Sequence, residues 1–90
     1  MGVEFDPNKD VENVARHGVS LTEGDGVFSD PLCLTVEDDS SEGEQRWVSI
    51  GTNVFGTLYV VVWTKRGDNE RLISVRKPEP RERKDYEANR

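Results

Sequence analysis

From Arg46 onward the chain runs through three stretches, RWVSIGT, TLYVVVWTK and ERLISVRK, all rich in β-branched and aromatic residues. NVFG and RGDN, short connections containing Gly and Asn, separate them and suit hairpins, so the spacing predicts an antiparallel meander. The middle stretch is almost continuously apolar, the pattern of a strand at the centre of a sheet. Upstream, LCLTVED at residues 32–38 alternates well enough for a further strand and is followed by the polar, acidic loop DSSEGEQ.

The first third of the chain follows a helical period. In FDPNKDVENVARHGV, Asp6 is placed to cap free backbone N–H groups, and Pro7 at the first helical position loses no hydrogen bond. Val11, Val14 and Ala15 fall at i, i+3 and i+4 and predict an apolar stripe facing the sheet. Gly18 ends the helix, because glycine takes the left-handed conformation at little steric cost. SLTEGDGVFSDP repeats this grammar: Ser20 and Glu23 are spaced as a capping box, and Leu21, Val27 and Phe28 are available for burial. It predicts a second helix ending before Asp30-Pro31, although Gly24 and Gly26 each weaken it by roughly 1 kcal/mol relative to alanine. A short helix is expected after Pro80, with Tyr86 as its large anchor. The fold class is therefore α+β: two N-terminal helices packed on an antiparallel meander, then a short C-terminal helix.

At 90 residues the chain makes one domain, residues 1–90, with a small core. Its one cysteine, Cys33, cannot form an internal disulfide and reads as a buried small hydrophobe. The start lacks the basic and apolar segments of a signal peptide, and LYVVVW is far too short to cross a bilayer, so a cytoplasmic protein is expected. Net charge is −6, which opposes generic binding to polyphosphate, but the charge is segregated. Residues 1–45 carry twelve acids and two bases, and residues 46–90 carry six acids and ten bases. The second half thus predicts a basic surface, and the first half an acidic one that faces water or a basic partner.

Candidate chemistry concentrates in that basic half. Strict alternation along ERLISVRKP sends Arg71 and Arg76 to opposite faces unless a bulge intervenes. Arg46 opens a neighbouring strand and is expected to share a face with one of them. Guanidinium groups suit phosphate because their planar fork donates paired hydrogen bonds and stays charged. Arg83, Lys84 and Tyr86 approach from the final helix. No G-x-S-x-G, P-loop or H-E-x-x-H pattern is present, and His17 is the single histidine. The acidic run EDDSSEGE does not have the spacing of an EF-hand loop, and neither a metal nor a cofactor is expected.

In order along residues 5–87, FDPNK, RHGVSLTE, VFSDPL, EDDSSEGEQRWVSIG, G-x-LYVVV, RLISVRK and RERKDYE resemble the BrnT toxin family, whose fold is related to the RelE-type ribonucleases. The resemblance implies a metal-independent endoribonuclease that arrests growth. It also implies neutralisation by a BrnA-type antitoxin, through which alone the toxin would meet operator DNA. Two departures stand out: GDG at 24–26, and the two prolines in RKPEPRERK.

For such an enzyme, attack of the ribose 2′-OH on its own phosphate requires positive charge on the transition-state oxygens, a role for Arg46, Arg71 and Arg76. His17 and Tyr86 are the candidate proton carriers, and Lys77, Arg83 and Lys84 the candidate RNA contacts. Each has a structural alternative. His17 at a helix end can satisfy carbonyls, Arg46 and Arg71 can pair with Glu44 and Glu70, and Tyr86 can be an apolar anchor. Two other functions stay open on sequence alone: a non-catalytic member that only binds antitoxin and supports repression, and a small-ligand binder.

Overall fold

A computed structural model describes residues 2–39 and 43–89. In chain order the elements are β1 (Val3–Glu4), α1 (Pro7–His17), two 3₁₀ turns (Leu21–Gly24 and Val27–Ser29), β2 (Leu34–Glu37), β3 (Trp47–Thr52), β4 (Leu58–Arg66), β5 (Asn69–Arg76) and α2 (Pro80–Ala88). The five strands form one sheet in the order β1-β5-β4-β3-β2. Strands β2 to β5 are the expected antiparallel meander. The expectation of a purely antiparallel sheet is corrected by β1, which pairs parallel to β5 through Val3–Glu70 and Glu4–Arg71. A strand of two residues leaves too little alternation for any periodicity to be read from sequence.

The expected second helix is also corrected, since its sequence forms two 3₁₀ turns. Gly26 sits at φ +93°, a conformation that interrupts any continuous helix there. Gly24 is where the chain meets the sheet: a Cβ would lie 2.9 Å from Val75 Cγ2 and 3.3 Å from both Leu72 Cδ1 and Val61 Cγ2. The glycines that weaken a helix are thus those that let Leu21 and Val27 reach complete burial. These two join Val19, Tyr59, Val61, Leu72 and Val75 in the core on one face of the sheet, with Phe28 set edge-on to Trp63.

Helix α1 starts and stops as its sequence predicts. Asp6 accepts from Asn8 N–H at 2.9 Å, and Gly18 takes φ +71° while donating to the Val14 carbonyl. The apolar stripe is the correction, because Val11, Val14 and Ala15 are all exposed and Asn13 is the buried residue of the helix. The Asn13 amide donates to the carbonyls of Val75 (2.8 Å) and Val19 (2.7 Å), while its oxygen accepts from Val75 N–H (3.2 Å). Beyond the two residues of β1, the edge of β5 is therefore completed by a side-chain amide acting as a strand backbone would. Helix α1 docks by hydrogen bonding where a Val stripe would have docked it by apolar burial. Cys33 is half-buried rather than enclosed, and burial pushes its thiol upward.

Replacing Asn13 by alanine strips partners from three buried backbone groups and is expected to cost about 2–4 kcal/mol of folding stability. Val11→Ala on the exposed side of the same helix should stay within about 0.5 kcal/mol of the parent. Urea denaturation of the two variants checks the contrast, and equal losses would show that α1 docks through its aliphatic residues.

Candidate active site

Between β4 and β5 the register slips by one residue. Val62 pairs with Ser74 while Trp63 pairs with Leu72, so Ile73 has no partner. One unpaired residue resets the alternation of side chains beyond it. Leu72 and Val75 consequently both enter the core, although three residues apart. Arg71 and Arg76, each adjacent to one of them, turn together to the opposite face. The bulge that would reconcile the two arginines is present.

On that second face the register builds successive rows across the strands. One runs Leu34, Ile50, Val60, Arg76, and the next runs Val36, Val48, Val62, Ser74. The row beyond holds Arg71 opposite Thr64, and Arg46, one residue before Trp47, points to the same side because Trp47 stacks on Trp63 over the core face. Asp38 lies across from Arg46, its N–H donating to the Arg46 carbonyl at 2.9 Å. All three arginines picked from the sequence thus border one aliphatic floor. They do not converge on one point: Arg71 and Arg76 are about 15 Å apart along β5 at the usual strand rise.

Two clefts open on this surface. The basic one, about 230 Å³, is lined by Arg46 together with Lys9 and Arg16 from α1 and Ser74 from β5, with Glu12 at its side. The other, about 430 Å³, has Val36, Val48 and Ile50 as its floor, the acids Glu37, Asp38, Asp39 and Asp85 on its rim, and Arg76 with Glu82 at its end. Lys9 and Arg16 escaped the sequence reading. Their spacing of seven on one helix, close to two full turns, was the available signal, but nothing in the sequence said that this face looks toward Arg46.

The expected pairings of Arg71 and Arg46 are corrected, and Arg76, for which none was expected, has a carboxylate partner. Arg71 pairs with Glu4 at 3.2 Å, not with Glu70, and Glu44 pairs with Arg66 at 3.2 Å, not with Arg46. Donation from Asn69, then from Arg71, holds the Glu4 carboxyl below its ordinary range. Arg76 forms a two-point fork on Glu82, with both N···O distances 2.8 Å. That hydrogen bonding raises the Arg76 guanidinium and lowers the Glu82 carboxyl. Glu82 also accepts from Glu79 N–H at 2.8 Å, capping α2, so the carboxylate that starts the helix is the one that holds Arg76. Pro80, one of the two prolines noted in the sequence as a departure, occupies the first turn of α2, where its ring fits.

The remaining candidates lie apart from these clefts. His17 is the last residue of α1 and lines neither of them. Lys77 is exposed beside Arg76, and its carbonyl accepts from Arg76 Nη1 at 3.3 Å. Lys84 is exposed on α2. Arg83 and Tyr86 border a third opening with Asp30, Thr52 and Leu58. Tyr86 is 7% exposed, and its phenol donates to Asp30 Oδ2 at 2.6 Å, which makes it the anchor that ties α2 to the sheet. Asp30 Oδ2 also accepts from Thr52 N–H at 2.9 Å. Desolvation works to raise the Asp30 carboxyl, but donation from Tyr86, Thr52 and Leu32 outweighs it and leaves the group below its ordinary value.

The frame is a small five-stranded sheet flanked by two helices, with Arg46, Arg71 and Arg76 bordering one face. The crystal structure of the Brucella abortus ribonuclease toxin BrnT has this fold, matching with a TM-score of 0.64 at 21% identity over 88% of this chain and 97% of that one. Residues 5–82 match the family of the ribonuclease toxin BrnT of type II toxin–antitoxin systems, and the chain belongs to that family. Comparison with curated proteins gives no match.

A carboxylate held below its ordinary pKa contributes stability that is complete above the unfolded value, near 4, and is lost as pH falls through the folded value. Tyr86→Phe removes one donor to Asp30 and is expected to cost about 1.5–3 kcal/mol at neutral pH, with the gap from the parent closing in acid below about pH 4. Thermal denaturation of both proteins across that range tests this, and a gap independent of pH would mean that the phenol acts through packing alone.

Proposed function

We propose that this chain is a metal-independent endoribonuclease that cuts RNA in the cytoplasm to arrest growth, and that a BrnA-type antitoxin neutralises it and alone brings it to operator DNA. Membership in a ribonuclease-toxin family supports the reaction class. The observation that carries the assignment of residues is the shared face of Arg46, Arg71 and Arg76, with Lys9 and Arg16 closing a basic cleft around Arg46 and Ser74. An RNA backbone laid along β5 would pass from Arg71 over Ser74 to Arg76.

In the reaction the 2′-oxygen attacks the adjacent phosphorus, the bond to the 5′-oxygen breaks, and negative charge grows on the phosphoryl oxygens between. Of the three arginines on this face, Arg46 is the one with no carboxylate contact among the described residues, and it shares its cleft with Arg16 and with Lys9, which pairs with Glu12 at 3.7 Å. It is assigned to the transition-state oxygens. Arg71 and Arg76 position the flanking phosphates, which requires exchanging Glu4 and Glu82 for phosphate oxygens. Lys77, Arg83 and Lys84 attract RNA without reading its sequence. His17, at the end of α1 and outside both clefts, is given no step in the reaction, and Tyr86 is assigned an anchoring role.

The two-point clamp on Arg76 favours one second reading, a non-catalytic member that binds its antitoxin and supports repression. Incubating the purified protein with RNA in chelator separates the two. The expected result is cleavage by the parent and a loss of about 10²- to 10³-fold in Arg46→Ala, partly restored in Arg46→Lys. A parent inert toward RNA with or without divalent ions would favour the second reading, and full cleavage by Arg46→Ala would remove this site.

A further inference from the structure

The second face of the sheet is electrically divided. Its β5 and α1 side is basic, whereas its β2 side is aliphatic with an acidic rim. On that acidic side Val36 is 62% exposed, and Val48 and Ile50 are only half-buried. Apolar area left open inside a charged rim is the composition of a protein-docking surface. RNA is a poor occupant, because Glu37, Asp38, Asp39 and Asp85 surround the floor and repel phosphate. A second copy of the chain is equally poor, since each copy carries −6. The rim selects a cationic segment, and the floor selects one with aliphatic side chains on one side. Among the described residues β2 is the edge strand on this side of the sheet, the position at which an added segment can pair.

From this charge complementarity we infer that the cleft between β2 and α2 is the docking site for a basic, amphipathic segment of the antitoxin, seated on Val36 and Val48 and extending over Arg76. The inference rests on reading the chain as a toxin with an antitoxin partner, and it adds where and by what chemistry that partner is held. Arg76 lies at the end of this cleft and, one row over, beside Ser74 of the basic cleft. A segment seated there covers Arg76 and blocks the path of RNA along β5. The acidic rim thus has a function that the negative charge of the chain otherwise obstructs: it recruits the inhibitor electrostatically while the basic side recruits the substrate.

Other exposed apolar groups carry no such instruction. Val11 on α1 is flanked in sequence by Asp10 and Glu12, and Val54 and Phe55, 77% and 81% exposed at the β3–β4 turn, line neither of the two clefts.

The test uses the full chain and fluorescent peptides tiled along the antitoxin sequence, read by anisotropy with no RNA present. The expected result is that the tightest peptide is net basic with spaced aliphatic residues, and that its affinity falls with salt. It should also fall about 10- to 100-fold in Val36→Ser and in Asp39→Lys, while Val11→Ser and Phe55→Ser bind as the parent does. Circular dichroism of each variant confirms that the fold is retained. A tightest peptide that is acidic, or one indifferent to Val36 and Asp39 but lost in Val11→Ser or Phe55→Ser, would overturn the inference. Because RNA is absent, an inert enzyme that binds as expected counts against the nuclease reading and leaves this one standing. A cleaving enzyme whose peptide ignores the cleft does the reverse.

Discussion

The architecture depends on a single slip in strand register. With Ile73 unpaired between Leu72 and Ser74, β5 presents Leu72 and Val75 to the same core and Arg71 and Arg76 to the same outer face. Without it, a regular strand would drive one of the two aliphatic residues out of the core and one arginine toward it. An unpaired guanidinium cannot be buried without a penalty of several kcal/mol, so a regular β5 would conflict with its own sequence. The irregularity therefore serves stability and the candidate site at once, and the two cannot be varied independently.

A second constraint follows at the same edge. Beyond Arg71 the outer side of β5 would be a row of unpaired backbone groups, since β1 is only two residues long. Asn13 occupies that position with a donor and an acceptor at the geometry of a peptide. This fixes α1 against β5 and brings Lys9 and Arg16 beside Arg46 and Ser74. One buried amide thus links the stability of the helix to the composition of the basic cleft.

These two features explain what could be read from the sequence. The strands β3, β4 and β5, the caps of α1 and the anchor role of Tyr86 rest on local rules of period, turn chemistry and capping, and they were legible. The resemblance carried the family over most of the chain. The second helix was misread because Gly24 and Gly26 were weighed as helix weakeners, whereas a close approach to Val75 and a positive φ require them. The Val11, Val14 and Ala15 stripe was misread because an amphipathic count scores Asn13 as polar and therefore outward, and cannot see two open peptide groups 62 residues away. The shared face of Arg71 and Arg76 was hidden for a similar reason: a register slip is a property of a strand pair, not of either strand. The partner Glu4 is a tertiary neighbour 67 residues from Arg71, which near-sequence pairing with Glu70 could not anticipate, whereas Glu82 reaches Arg76 across the short connection into α2.

The charge distribution gains meaning from this geometry. Segregated along the sequence, acids in the first half and bases in the second, it becomes segregated across one face, because β2 from the first half and β5 from the second lie on opposite sides of β3 and β4. Helix α1 then contradicts the simple division by contributing Lys9 and Arg16, the two bases of the first half, to the basic side. At physiological salt the Debye length is about 8 Å, shorter than the span from β5 to β2, so the outer parts of the two sides act on what touches them largely independently, while Asp38 and Arg46 meet where the sides join. A chain of net negative charge can in this way hold a polyanion at one edge, because what a bound phosphate senses is the nearby guanidinium groups and not the sum over ninety residues.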